Sequence, residues 1–152
     1  MSSGPSPIIL ALTLFTLAVC ALGLWQGGRS ERLGAVIILA NQALTFVMTY
    51  AFSERASVGA LVQLALDGLT AAALLLVVLR YGKPWLGVAM LLYAAQFALH
   101  SFYLVTERPN DTLHAVANNA IFVGVNLSLA AGIAMAMLNR RKVAKRPWHG
   151  AR

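Results

Sequence analysis

Five apolar runs, each of about twenty residues, follow one another along this chain with only short polar separators between them. Wound as an α-helix at about 1.5 Å per residue, a run of that length matches the roughly 30 Å hydrocarbon core of a bilayer. The runs place helices at about Ile8–Trp25, Leu33–Phe52, Val58–Leu79, Trp85–Val105 and Leu113–Leu138. All five prolines (Pro5, Pro7, Pro84, Pro109 and Pro147) fall outside these spans, as uninterrupted helices require. The strands of a membrane β-barrel alternate apolar and polar residues, and these runs do not. The expected fold is all-α: a five-helix transmembrane bundle over residues 1–139 with a basic tail over 140–152.

Composition closes off the soluble alternative. The chain is 59% apolar and 11% charged, against about a quarter charged in an ordinary soluble domain. Its 152 residues leave no room for a separate soluble domain once five spans are placed. A single cysteine, Cys20, excludes an internal disulfide, a multi-cysteine zinc site and a CxxC redox pair. The Val19 before it departs from a lipoprotein cleavage box, and Cys20 reads as a buried thiol in a retained helix.

The net charge of +7 is unevenly spread. Half of the twelve basic residues, Arg140, Arg141, Lys142, Lys145, Arg146 and Arg152, follow the last apolar run directly. The expected partner is membrane lipid, with Arg140, Arg141, Lys142, Lys145 and Arg146 contacting anionic headgroups. Nucleic acid is not expected, because only Trp148 interleaves with those bases. With the N-terminus outside, ten basic residues fall on the inner side and only Arg55 and Arg108 on the outer. The expected orientation is therefore N-terminus outside and C-terminus inside. The Ala-, Leu- and Arg-rich composition fits a bacterial inner (cytoplasmic) membrane, which the chain is expected to cross several times.

Polar side chains inside hydrocarbon are costly, so their positions carry the most information. At 100° per residue, Gln63, Asp67 and Thr70 share one face of the third span. Tyr93, Gln96, His100 and Tyr103 share a face of the fourth, and Asn119 and Asn126 nearly eclipse on the fifth. Asn41, Gln42, Thr45 and Thr49 occupy a broader arc of the second. Such stripes point into a bundle, since lipid offers no hydrogen-bond partner. Rise per residue puts Asp67 and Gln96 near the midplane and Gln63, His100 and Asn119 nearer the outer boundary. An intramembrane polar cluster of Asp67, Gln63, Gln96, His100, Gln42 and Asn119 is expected, with Gln63 opposite His100 and Asp67 opposite Gln96. Asp67 is the one acid inside these spans, and no Lys or Arg lies at its depth. It is a candidate proton or cation site, or an anchor for a polar ligand, with His100 as a second titrating group. His100 and His114 lie at different depths and so make a poor axial pair for haem.

Ala120, Gly124, Ser128, Gly132 and Ala136 recur every four residues on the opposite side of the fifth span. This small-residue ridge is a packing signal whose partner helix the sequence leaves open. No HExxH, GxSxG or Walker loop appears, no metal cluster or cofactor is expected, and the loops are short. Asp111 or Thr112 reads as the N-cap of the fifth helix.

Glu31-Arg32-Leu33-Gly34-Ala35, the mid-span Asp67, and Trp85, Gln96 and His100 together resemble small bacterial polytopic membrane proteins of no established activity. The resemblance covers about residues 29–105 and implies that Asp67 and His100 belong together. The leading functional expectation is a non-enzymatic accessory or assembly subunit, binding a second copy or another membrane protein through its helix faces. The alternative is a small transporter or channel-like protein with its polar site around Asp67 and His100.

Overall fold

The computed structural model describes residues 7–51, 56–109 and 111–144, and these form five helices: α1 (Pro7–Gln26), α2 (Arg29–Ala51), α3 (Ala56–Tyr81), α4 (Pro84–Val105) and α5 (Thr112–Ala144). Each is long and apolar enough to cross a membrane. Every helix packs on its neighbour in sequence, and α5 closes back onto α1, so the helices form a ring. The turns force this arrangement. Only Gly27 and Gly28 separate α1 from α2, and only Gly82 and Lys83 separate α3 from α4. Gly82 sits at φ +58°, the left-handed conformation that ends a helix at little cost for a residue without Cβ.

Two helices run further than their hydropathy suggests. The polar stretch Arg29–Arg32 belongs to α2 and not to a loop. Gly28 is its N-cap position, and its N–H donates to Glu31 Oε2 at 2.9 Å, the reciprocal half of a capping box. At the other extreme α5 is 33 residues long and continues through Arg140, Arg141 and Lys142 to Ala144. Ala, Leu, Arg and Lys all favour helix, and no Gly or Pro lies between Gly132 and Ala144 to end it. The first five residues of the basic tail are thus helical, while Lys145, Arg146 and the rest of it lie outside the described residues.

The two halves of the ring differ. Toward the α1–α2 and α3–α4 turns the interior is dry and tightly packed. Cys20, Ala35, Ile38, Leu74, Trp85, Leu86, Ala89, Leu129 and Ile133 are all buried there. At its centre the Trp85 indole lies between two glycines: a Cβ on Gly34 or on Gly132 would come within 2.6 Å of the ring. The indole N–H donates to Glu31 Oε1 at 3.2 Å, and Ser30 Oγ donates to the same oxygen at 3.0 Å. Glu31 is buried. The expectation that Asp67 alone among the acids lies within a span is therefore corrected. Glu31 is a second, held at the first turn of α2, where the positive end of the helix dipole favours a carboxylate.

Part of the small-residue ridge on α5 is covered within the chain. Gly132 lies under Trp85 and Gly124 under Leu92, both from α4, while Ala120 is exposed. Without a hydrophobic driving force in lipid, side chains of α4 seated on glycines of α5 in this way favour the contact between the two helices.

Candidate functional site

The half of the ring nearer the N-terminus is polar inside, and its first element is an ion pair. His100 Nδ1 lies 2.6 Å from Asp67 Oδ2, while Gln63 Nε2 donates to Asp67 Oδ1 at 3.3 Å. The Asp67 side chain is completely buried and that of His100 is 15% exposed. Held against each other, the two groups burden a low-dielectric interior less than either would alone.

The expected pairing is corrected by one step. Asp67 meets His100 and not Gln96, and Gln96 Nε2 donates to Asn118 Oδ1 on α5 at 3.2 Å. Side chains on a helix tilt toward its own N-terminus, so in the antiparallel α3–α4 pair they lean in opposite directions. The Asp67 carboxyl leans toward the N-terminal end of the bundle and the His100 ring leans away from it. Equal Cα depth is thus the wrong criterion for contact.

A second network ties α2, α3 and α4. Thr70 Oγ1 donates to Asn41 Oδ1 at 3.0 Å, and Asn41 Nδ2 reaches Tyr93 Oη at 3.4 Å. The sequence places these residues on inward stripes but does not say that they bond to one another. On α5, Asn126 is fully buried and gives its Nδ2 to the Phe122 carbonyl at 2.9 Å.

Between these networks lies a central cavity of about 350 Å³ to which all five helices contribute. Its polar wall includes Asn41, Gln42, Gln63, Tyr93, Gln96, His100, Asn118 and Asn119. Ile9, Leu12 and Phe122 form an apolar wall. Five of the six side chains expected in a polar cluster therefore face one space, and the sixth, Asp67, stands behind His100 and Gln63. The carboxylate acts on the cavity through the imidazole and not by contact. Asn118, unlike its neighbour Asn119, drew no attention in the sequence; it is the partner of Gln96.

A second cavity of about 500 Å³ opens at the α4–α5 connection and is lined by Tyr103, Glu107, Arg108 and His114. Gln63 and His100 line both cavities and form the partition between them. The His114 ring lies 5.3 Å from that of His100 and 4.6 Å from that of Tyr103, centroid to centroid. Tyr103 in turn donates its hydroxyl to Asp111 Oδ1 at 2.7 Å.

Asp111 is the N-cap of α5: the His114 N–H donates to its Oδ1 at 2.9 Å. That backbone bond, and then the Tyr103 hydroxyl, hold the Asp111 carboxyl below its ordinary range. A carboxyl lowered in the folded state stabilises the fold above its unfolded value, and loses that contribution as the pH falls through the folded one. The first turn of α5 should therefore fray in acid. Amide hydrogen exchange at His114 should quicken below the ordinary carboxylate range, and Asp111→Asn should remove most of that pH dependence.

At the opposite end of the molecule a cleft of about 390 Å³ is lined by Trp25, Gln26, Met137, Arg140 and Arg141. Arg140 also donates to the Gly27 carbonyl at 3.2 Å, docking the end of α5 on the α1–α2 turn. Arg141 and Lys142 are exposed beside it. Among the described residues no group of three or more His, Cys, Asp or Glu side chains converges as a metal site would require.

No family model, no curated protein and no solved structure matches this chain. The five apolar helices make it a multi-pass membrane protein of the helical-bundle class.

Proposed function

We propose that this protein is a small transporter or channel-like protein, in which the central cavity holds a polar solute beside the Asp67–His100 pair. One observation carries the reading. A cavity that all five helices line with amides and hydroxyls, at the level of an ionisable pair, has no packing purpose, since burying those groups against one another would be cheaper. The accessory-subunit reading drew on the small-residue ridge. With Gly124 and Gly132 covered by α4, that ridge no longer argues for a second copy or a partner protein.

Ten basic residues against two support an orientation with the N-terminus outside and the tail inside, in a bacterial inner membrane. The central cavity then belongs to the outer half, and the Trp25–Arg140–Arg141 cleft meets the anionic inner leaflet. In a Cys20→Ala background, Arg108→Cys should react with a membrane-impermeant maleimide on intact cells, and Lys83→Cys should react only after lysis. The reverse pattern would invert the orientation. For the function itself, vesicles containing the purified protein should pass at least one of protons, small cations or small neutral solutes faster than protein-free vesicles. Equal permeability to all three would sink the proposal.

A further inference from the structure

We infer that the central cavity takes a small neutral polyol, of a size between glycerol and a hexitol, admitted from the α4–α5 end past the Gln63–His100 partition. The inference rests on the conduction reading above and names the class of solute.

Charge comes first. Among the described residues, no Lys, Arg, Asp or Glu lines the central cavity. The nearest acid, Asp67, is completely buried, and both its oxygens are engaged, one by Gln63 and one by His100. A cation in the cavity would have no carboxylate to touch. Two of the amide oxygens that might replace one are already taken: that of Asn118 by Gln96, and that of Asn41 by Thr70. An anion would face no Lys or Arg among the described residues of the lining. Amide oxygens alone compensate an ion's desolvation less than an opposite charge would, whereas a neutral solute incurs no such cost.

Hydrogen-bonding character narrows the class. His100 turns Nδ1 to Asp67, which leaves Nε2 as the ring nitrogen that can bond a solute, as donor or acceptor according to the tautomer. The Tyr93 hydroxyl, which accepts from Asn41, has its own proton to give. Gln63 and Gln96 each spend an N–H within the protein and keep a carbonyl oxygen as acceptor. Donors and acceptors thus occur together on one wall, which suits hydroxyl groups, each of which both gives and accepts. Ile9, Leu12 and Phe122 on the other wall suit the carbon chain that carries them. The volume equals roughly ten water molecules, more than a bare alkali ion fills and enough for a short polyol.

The route follows from the shared wall. The outer cavity carries Glu107 and Arg108, and among the described residues the central one has no Lys, Arg, Asp or Glu, so a solute passing inward leaves those formal charges at the partition. Gln63 and His100 then offer it hydrogen bonds on both sides of the step.

The test is solute selectivity in one vesicle preparation. Light scattering would follow entry of glycerol, erythritol and sorbitol, and ion-sensitive dyes would follow sodium, potassium and protons. The expected result is polyol entry well above protein-free vesicles with cation entry unchanged. Gln63→Met should then slow polyol entry on the order of tenfold, the worth of about one buried hydrogen bond, with thermal melting near wild type. Cation or proton entry without polyol entry would overturn the inference and leave the conduction reading standing. Entry of nothing would overturn both.

Discussion

Asp67→Asn should slow solute passage by roughly 10- to 100-fold while leaving the bundle's melting temperature within a few degrees of wild type. The estimate is the worth of one charge-assisted hydrogen bond, about 1.5–3 kcal/mol, converted to a ratio. Asn preserves the shape of the side chain and can still bond Gln63, so the packing of α3 against α4 survives. What it removes is the carboxylate that holds the His100 ring at 2.6 Å. Because Asp67 touches neither cavity, it is a positioning residue, and its loss should also alter the pH profile of passage. His100→Gln, which keeps a donor on the partition, should retain more passage than His100→Phe, which keeps none. Transport rates across a pH series, with melting curves in detergent for each variant, decide the matter. Unchanged rates and an unchanged pH profile in Asp67→Asn would make the pair a structural clasp between two helices.

The largest effect on stability is expected at Trp85. Trp85→Ala empties the slot between Gly34 and Gly132 and takes one of the bonds from the buried Glu31 carboxylate. Losing a large core aromatic costs about 3–5 kcal/mol. Filling the slot from the other side is also unfavourable. A Cβ on Gly132 would lie 2.6 Å from the indole, which is wedged against α2 and has nowhere to retreat, so Gly132→Ala should cost about 1–3 kcal/mol. Gly124→Ala is the contrast, since its Cβ meets only a Leu92 methyl at 3.0 Å, the movable end of a flexible side chain. Thermal melts of these three variants should rank Trp85→Ala lowest and Gly124→Ala close to wild type. If Gly124→Ala and Gly132→Ala were equally harmless, the indole would not be the wedge that joins α2, α4 and α5.

Much of this architecture can be read directly from residue order, for a physical reason. A membrane forces each span to satisfy its backbone internally, so five long apolar runs leave little besides five helices. The inward stripes are legible for the same reason: lipid excludes Gln63, Asp67, Gln96 and His100 from the outer surface. Contacts between helices are a different matter. They depend on tilt and register, and a shift of a few ångströms decides whether Asp67 meets Gln96 or His100. Glu31 was harder still to see. Between Arg29 and Arg32 it looks like part of a solvated loop, and only the fold brings the Trp85 indole to it across 54 positions of sequence. The sequence shows the polar side chains that line the central cavity but not its volume, which is space that side chains from five helices decline to fill.

The dry half of the ring has an electrical meaning. Water filling the upper cavities would carry the potential of the adjoining solution down to the level of the Asp67–His100 pair. The membrane voltage would then fall almost wholly across the packed layer around Leu74, Trp85, Leu129 and Ile133. Carrying one elementary charge through the full voltage amounts to about 2.3 kcal/mol per 100 mV. A charge reaching the Asp67–His100 pair from that solution would cross very little of it. Access to the pair from its own side would then stay nearly indifferent to whether the cell is energised.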